Sequence, residues 1–253
     1  MADPFSIRDR HFLITGGTRG IGGAISTWFA KSGALVTANY VRDVKSAERL
    51  KADAEAAGLP IAVCRADLTS PKGLEKLMAH LDEHNGPLSG LIHCAASGVH
   101  KPLDELTNRH FDWTLAINVR AFFELVKLLL PRLPAGASVV AVSSKGAVRA
   151  VPAYTVLGAS KGALESAARH FAAELAPKGI RVNILSPGSV LTDAWKSMPD
   201  AEERISETIR RTPNGRLTKA EEVAWAAQFL CSDASSGMIG HTLVVDGGAA
   251  IIE

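Results

Sequence analysis

The sequence predicts a single α/β domain built on a doubly wound, parallel sheet of about seven strands with helices on both faces. Three observations support this prediction. Short apolar segments alternate with longer amphipathic ones from end to end, a glycine-rich loop follows the first apolar segment, and 253 residues suffice for one large core. No proline-, glycine- or serine-rich linker divides the chain, so the expected domain covers 1–253.

The predicted strands are seven short apolar segments. Their nearly continuous apolar character is typical of parallel strands that helices cover on both faces. In order they are HFLIT (11–15), LVTANY (35–40), IAVCRA (61–66), GLIHCAA (90–96), SVVAVSS (138–144), RVNILSP (181–187) and HTLVVDGG (241–248).

The predicted helices are the amphipathic segments between these strands, several of which end at glycine. They cover 22–33, 44–58, 71–86, 104–133 and 152–177. A long irregular segment, 188–218, follows the sixth strand. Ligand-covering segments of such sheets lie after the carboxyl ends of strands, so we expect this one to be a substrate lid.

Composition and charge exclude several classes of protein. A formal net charge of +2 without a basic block favours neither nucleic-acid nor membrane-surface binding. The N-terminus lacks a signal-peptide pattern, and no segment has the apolar length of a membrane span. Cys64, Cys94 and Cys231 are few and far apart, as expected of reduced thiols. We therefore expect a cytoplasmic protein.

Two histidines have a spacing that metal sites use. His80 and His84 are four residues apart on a predicted helix, which places them on one face. The sequence offers no recognisable third ligand, so we interpret them as part of a solvated helix face and expect no metal.

A glycine-rich loop, TGGTRGIGGA, joins the first strand to the first helix. Gly16, Gly20 and Gly22 give the pattern T-G-x-x-x-G-x-G. Glycine permits a tight turn and close approach of the backbone to a pyrophosphate, which then lies at the helix N-terminus. This context predicts a Rossmann-type dinucleotide site.

The end of the second strand indicates which dinucleotide binds. NAD sites usually have Asp or Glu there, but this strand ends with Asn39 and Tyr40. Asp43 is expected to cap the next helix. Arg19 and Arg42 could hold a 2′-phosphate, which favours NADPH; the alternative is that both are ordinary surface arginines.

Several further motifs make the chain resemble the short-chain dehydrogenase/reductase family over almost its whole length. ADL (66–68), SPG (186–188) and VVDGG (244–248) match family segments, and CAAS (94–97) stands where most members have N-N-A-G. The resemblance implies that Asn118 anchors a water near the catalytic lysine. It also implies the cofactor-binding residues Gly16, Thr18, Arg19, Gly20, Ile21, Gly22, Tyr40, Arg42, Asp67, Leu68, Ala95, Ala96, Lys161, Pro187, Gly188, Val190 and Thr192.

The chain departs from the family in the spacing of its catalytic residues. In most members a serine precedes the lysine by seventeen residues and a tyrosine precedes it by four. Ser144 and Lys161 keep the seventeen, but Leu157 occupies the usual tyrosine position and Tyr154 lies seven residues before Lys161. We expect Tyr154 in the first turn of the helix that contains Lys161.

A displaced tyrosine suits an enoyl thioester. Hydride goes to the β-carbon, whereas negative charge collects on the thioester oxygen, farther along the substrate. Tyr-x6-Lys is the spacing of enoyl-acyl-carrier-protein reductases, and blocks such as SSKGAVR most resemble the type III enzymes of bacterial fatty-acid synthesis. The resemblance implies that Tyr154 is the electrophile and that Lys161 binds the nicotinamide ribose. Ser144, which belongs to the carbonyl-reducing pattern, ranks second.

Three alternatives stay open at this stage. The chain could be a 3-oxoacyl or other carbonyl reductase that uses Ser144 with an unusually placed Tyr154. Tyr154 could instead be a core residue beside an inactive site. The chain could also be a catalytically idle NADP(H)-sensing module.

Expected partners follow from the resemblance. The substrate would be an acyl thioester on acyl-carrier protein or coenzyme A, and the assembly a homotetramer or homodimer. Lid residues Trp195, Met198 and Ile205 would cover the acyl chain. A set of basic residues could dock the acidic carrier, although it could equally be a solvated helix face: Arg204, Arg210 and Arg211.

Overall fold

The computed structural model describes residues 3–83, 86–192 and 201–252 and confirms the predicted doubly wound fold. All seven strands are parallel, in the order β3-β2-β1-β4-β5-β6-β7. Their bounds are β1 His11–Thr15, β2 Leu35–Tyr40, β3 Ile61–Arg65, β4 Gly90–His93, β5 Ser138–Val142, β6 Arg181–Pro187 and β7 Thr242–Val245.

Helices cover both faces of the sheet. Their bounds are α1 Gly20–Lys31, α2 Val44–Ala56, α3 Pro71–Asp82, α4 Asn108–Leu115, α5 Ala121–Leu129, α6 Thr155–Leu175, α7 Ala201–Arg210 and α8 Ala220–Cys231. Two apolar clusters form the core: α3, α5 and α6 pack on one face of the sheet, and α1 and α8 pack on the other. Such double coverage explains why β1, β4, β5 and β6 are buried along their whole length.

The two long predicted helices need correction. The segment 104–133 becomes continuously helical only at Asn108, and its helical path then runs to Arg132 with a π-helical turn, Ala116–Arg120, between α4 and α5. The segment 152–177 becomes helical only at Thr155. Ala153 has a left-handed φ of +56°, which ends any earlier helical path, and Tyr154 is therefore the N-cap residue rather than part of the first turn.

Four predicted strands also end earlier than expected. β3 ends at Arg65, β4 at His93, β5 at Val142 and β7 at Val245. The residues that follow them leave the sheet at its carboxyl edge. From β1 the strand order runs to one side of the sheet through β2 and β3 and to the other side through β4 and β5, so the order reverses between β1 and β4. Doubly wound folds bind ligands at such a point.

The predicted lid is described only in part. Trp195 and Met198 lie outside the described residues, as does His84 of the histidine pair. Within the described part, α7 carries the half-buried Ile205, and a bridge pairs Val190 with Thr218. Among the helices described, none is long and apolar enough to cross a membrane.

Candidate active site

The glycine-rich loop forms a tight turn between β1 and α1. Gly16 has φ +62° and Gly20 has φ +54°, and glycine adopts this conformation most readily. A β-carbon on Gly22 would lie 2.9 Å from the carbonyl carbon of Gly16, so no other residue fits there without rearrangement. The turn opens toward the N-terminus of α1, which suits an anionic group.

A cavity of about 480 Å³ extends from this loop along the carboxyl edge of the sheet. Most of the predicted cofactor residues line it: Gly16, Thr18, Arg19, Gly20, Ile21, Gly22, Tyr40, Arg42, Asp67, Leu68, Ala95, Ala96 and Thr192. The size and lining of the cavity fit a dinucleotide, with the glycine loop at the place of the pyrophosphate.

Eight lining residues were not among the predicted cofactor-binding residues. They are Asn39, Val41, Asp43, Thr69, Cys94, Ser97, Trp113 and Ile117. Most of them are sequence neighbours of predicted residues at the ends of strands. Their position next to a strand end could therefore have identified them. Trp113 and Ile117 come from α4 and the π-helical turn, and their contact with the cavity depends on tertiary packing.

Positive charge lies at the end of the cavity beside β2. The guanidinium of Arg42 lies 5.8 Å from the ring centre of Trp113, within cation–π range. Arg19 pairs with Asp43 at 3.6 Å. Asp43 caps α2, as expected, by accepting a hydrogen bond from the Ser46 amide at 3.0 Å, and hydrogen bonds from Ser46 lower the pKa of this carboxyl.

Tyr154 lies beside Ser144. The phenolic oxygen of Tyr154 is 3.3 Å from Oγ of Ser144, and the ring of His100 packs against the Tyr154 ring with centres 5.3 Å apart. The structure thus brings together two groups whose cooperation the spacing left in doubt. Leu157, in the usual tyrosine position, is buried and packs on the backbone at Gly98.

Lys161 is buried one turn farther along α6. Its ammonium donates a hydrogen bond to the carbonyl oxygen of Val142 at 2.7 Å. Burial lowers the pKa of Lys161 to about 8, while Cys94 and Glu165 oppose that shift. Glu165 is itself buried and accepts a hydrogen bond from the Ser143 hydroxyl at 2.6 Å.

Asn118 joins two parts of the site. Its side-chain oxygen accepts a hydrogen bond from the Ser97 amide at 2.9 Å, and its amide nitrogen donates one to Ser160 Oγ at 2.9 Å. It lies in the π-helical turn, a feature frequent at functional sites. Its side chain therefore fixes the segment after β4 relative to α6.

A second buried link lies beneath the cavity. Thr15 Oγ1 contacts His93 Nδ1 at 3.1 Å and accepts a hydrogen bond from the Ala95 amide at 3.1 Å. Burial, and secondarily the charge of Lys161, lowers the pKa of His93 to about 3, so the imidazole is neutral. The link fixes Ala95, which follows β4, in its position in the cavity wall.

Four predicted cofactor residues are not among those that line the cavity. Lys161 is buried behind it, and Pro187 ends β6. Gly188 donates a hydrogen bond to the Val245 carbonyl at 2.9 Å, and Val190 is buried. The last three lie at the carboxyl end of β6, on the Thr192 side of the cavity.

Comparison with protein families agrees with this geometry. A family model described as Enoyl-(Acyl carrier protein) reductase matches residues 16–250. Among curated proteins, 1-cyclohexenylcarbonyl-CoA reductase from Streptomyces collinus is 33% identical over 242 residues, which cover 95% of this chain and 86% of that protein. The 7alpha-hydroxysteroid dehydrogenase of Escherichia coli is 33% identical over 240 residues, covering 93% and 92% of the two chains.

Solved structures share the whole fold. A dehydrogenase/reductase from Sinorhizobium meliloti superimposes with a TM-score of 0.90 at 31% identity, covering 97% of each chain. A short-chain dehydrogenase/reductase from Serratia marcescens gives a TM-score of 0.90 at 28% identity, covering 97% of this chain and 99% of that one.

Proposed function

The chain belongs to the short-chain dehydrogenase/reductase family and is a nicotinamide-dependent oxidoreductase, and on that premise we propose that it is an NADPH-dependent enoyl-thioester reductase. The proposed reaction reduces the double bond of a trans-2-enoyl group carried by acyl-carrier protein or coenzyme A, in fatty-acid synthesis. The displaced phenol carries this proposal: Tyr154 reaches Ser144 from seven residues before Lys161, and Leu157 fills the usual tyrosine position.

The proposed roles follow from where charge develops. When bound, NADPH supplies the hydride that reduces the β-carbon. Tyr154 donates a hydrogen bond to the thioester oxygen, where negative charge collects, and so stabilises the enolate, which then takes up a proton from water at its α-carbon to give the saturated thioester. Lys161 would hold the nicotinamide ribose through its ammonium group. The hydroxyl of Ser144 orients the phenol.

Asn118, by its two hydrogen bonds, keeps Ser97 and α6 in register around these groups. The name of the Streptomyces collinus relative also describes reduction of an unsaturated acyl-CoA. That relative supports the same substrate class for this chain.

NADPH is favoured over NADH by the groups at the end of β2. The amide of Asn39 is occupied by the carbonyl oxygens of Cys64 and Ala66, at 3.3 and 3.0 Å. The carboxylate of Asp43 is held by Ser46 and Arg19. Arg42, whose guanidinium lies over the Trp113 ring, is then the cation for a 2′-phosphate.

Arg42→Ala is therefore expected to weaken NADPH binding about tenfold or more while leaving NADH binding nearly unchanged, because only NADPH carries the 2′-phosphate. Fluorescence titration of both cofactors measures the two Kd values. Arg49→Ala, which removes an exposed cation of α2 that pairs with Asp53, is the matched control. Equal losses for both cofactors would contradict the assignment of Arg42.

A second candidate function is carbonyl reduction. The contact of Ser144 with Tyr154 preserves the serine–tyrosine pair of that reaction, and the 7alpha-hydroxysteroid dehydrogenase is a relative of similar identity. The displaced tyrosine places this candidate second.

The experiment that separates the two follows loss of NADPH absorbance with crotonyl-CoA and acetoacetyl-CoA as alternative substrates of the wild-type enzyme. The proposal expects turnover of the enoyl thioester and little of the keto thioester. Turnover of acetoacetyl-CoA alone would favour the carbonyl reductase. Tight NADPH binding without turnover of either, also with enoyl-acyl-carrier protein, would favour the idle sensing module.

A further inference from the structure

The ring of Tyr154 lies in a narrow slot between two loops. The backbone at Gly146 contacts one side of the ring, and the imidazole of His100 packs at 5.3 Å from its centre on another. Ser144 Oγ lies at the hydroxyl end. We call this arrangement of Ser144, Gly146 and His100 the tyrosine slot.

Gly146 is the part of the slot with no spare room. A β-carbon on Gly146 would lie 2.6 Å from Cδ1 of Tyr154. Carbon atoms in favourable contact are separated by about 3.5–4.0 Å, so a methyl group would displace the ring by roughly 1 Å. Gly146 is not among the glycines with positive φ, so space, rather than backbone conformation, accounts for glycine at this position.

The slot is also held in place on both sides. The amide of Gly146 donates a hydrogen bond to Ser144 Oγ at 3.2 Å. The Ser144 hydroxyl therefore contacts both the Gly146 backbone and the Tyr154 phenol. On the other side, the Lys101 amide donates to the carbonyl oxygen of Ala153 at 3.1 Å. Ala153 has its left-handed φ immediately before Tyr154, and this turn directs the tyrosine into the slot.

From this arrangement we infer that Gly146 is a positioning residue: it provides the space in which a tyrosine outside α6 reaches the thioester oxygen of an enoyl substrate. This inference rests on the proposed function and adds the residue that makes the displaced phenol possible. Leu157 complements it, because its side chain fills the usual position against Gly98.

The test is a double-mutant cycle that combines Gly146→Ala with Tyr154→Phe, assayed for kcat with crotonyl-CoA. Gly146→Ala alone is expected to lower kcat at least tenfold, since a misplacement of about 1 Å at a reacting group costs up to roughly a hundredfold. In the Tyr154→Phe background the same methyl should cost no further activity, because the hydroxyl it misplaces is gone. The Kd of NADPH should not change.

Gly162→Ala is the matched control. It adds the same methyl on α6, where a β-carbon would meet only the Ala147 carbonyl oxygen at 3.4 Å. Wild-type kcat in Gly146→Ala, or equal losses in the two backgrounds, would overturn the inference. Absence of enoyl turnover in the wild-type enzyme would instead refute the proposed function, so the two failures are distinguishable.

Folding of Gly146→Ala is checked by its Tm and by NADPH binding. If this variant does not fold, removing the opposing ring should rescue it, and Gly146→Ala/Tyr154→Ala should bind NADPH with a wild-type Kd. Failure of the double variant to fold would show that the methyl disturbs something other than the tyrosine, which would also overturn the inference.

Discussion

His93 shows, at the scale of one residue, how burial beneath the cavity fixes a charge state. Its side chain is buried between β1 and the helix that carries Phe122, with ring centres 5.3 Å apart, and its Nδ1 contacts Thr15. Because burial lowers its pKa from 6.5 to about 3, the unfolded chain binds the proton more readily throughout that range.

His93 should therefore make the free energy of unfolding fall as the pH drops from 6.5 toward 3. At most the loss is about 1.4 kcal/mol for each pH unit, and the contribution is fully present above pH 6.5. Urea unfolding at pH 7 and pH 5 measures it. In His93→Asn, which keeps a polar group for Thr15 but cannot titrate, the acid loss should be smaller. An unchanged pH dependence would contradict the assignment.

Individual residues also show what the sequence could predict. The glycine loop and the strand-end residues were predictable because their spacing follows from the turn and from the carboxyl edge of the sheet. Trp113 was not, since its contact with the cavity depends on how α4 packs. The N-cap position of Tyr154 was not either, because the left-handed turn at Ala153 has no glycine to signal it.

Helix α6 is the element that connects the catalytic groups to the core. Lys161 and Glu165 are four residues apart on its buried face, where they hold two consecutive residues at the carboxyl end of β5: the Val142 carbonyl and the Ser143 hydroxyl. Arg169 lies 3.7 Å from Glu165 on the solvent side. The helix thus fixes the segment that presents Ser144.

Glu165→Gln should move the alkaline limb of the pH–activity profile to lower pH. The negative charge of Glu165 opposes the effect of burial on Lys161, so its removal lowers the pKa of Lys161 further below about 8, and the ammonium is lost earlier as the pH rises. His93 and Cys94 are the other titratable groups that interact with Lys161, and neither is changed. The profile of kcat/KM for crotonyl-CoA provides the measurement.

Ser143→Ala is the control for this prediction, because it removes the hydrogen bond to Glu165 and keeps the charge. The control should lower kcat without moving the limb. A limb that moves equally in both variants would mean that Glu165 acts through position alone.

Element boundaries show the same contrast between local and tertiary causes. All seven strands were predicted within a few residues, since buried parallel strands have short apolar segments with clear ends. The π-helical turn between α4 and α5 was not predicted, because the sequence around it has neither glycine nor proline. Asn118 lies in that turn, and its hydrogen bonds reach Ser97 after β4 and Ser160 in α6.

At the scale of the whole molecule, two apolar surfaces lie on different sides of the fold. Phe111, Phe123 and Leu128 are exposed on α4 and α5, whereas Ile239 and Val244 are exposed at the edge strand β7. Exposed apolar surface and an unprotected sheet edge are typical of contacts between subunits. We propose a homotetramer that uses both surfaces.

Light scattering of the wild-type protein at micromolar concentration should therefore give about four times the chain mass of 26.7 kDa. Phe123→Asp should halve that mass, because a charge on one surface abolishes one of the two contacts and leaves the other. A monomeric wild-type mass would contradict the proposal, as would a Phe123→Asp variant that remains tetrameric.

The displaced phenol is tested most directly by comparing the two tyrosines of the chain, Tyr154 and Tyr40. Tyr40→Phe removes a hydroxyl in the cofactor cavity and serves as the matched control. We predict that Tyr154→Phe lowers kcat for crotonyl-CoA by about a hundredfold or more at an unchanged Kd of NADPH, whereas Tyr40→Phe, assayed at saturating NADPH, leaves kcat nearly unchanged. Wild-type kcat in Tyr154→Phe would contradict the account, because the phenol would then not stabilise the enolate.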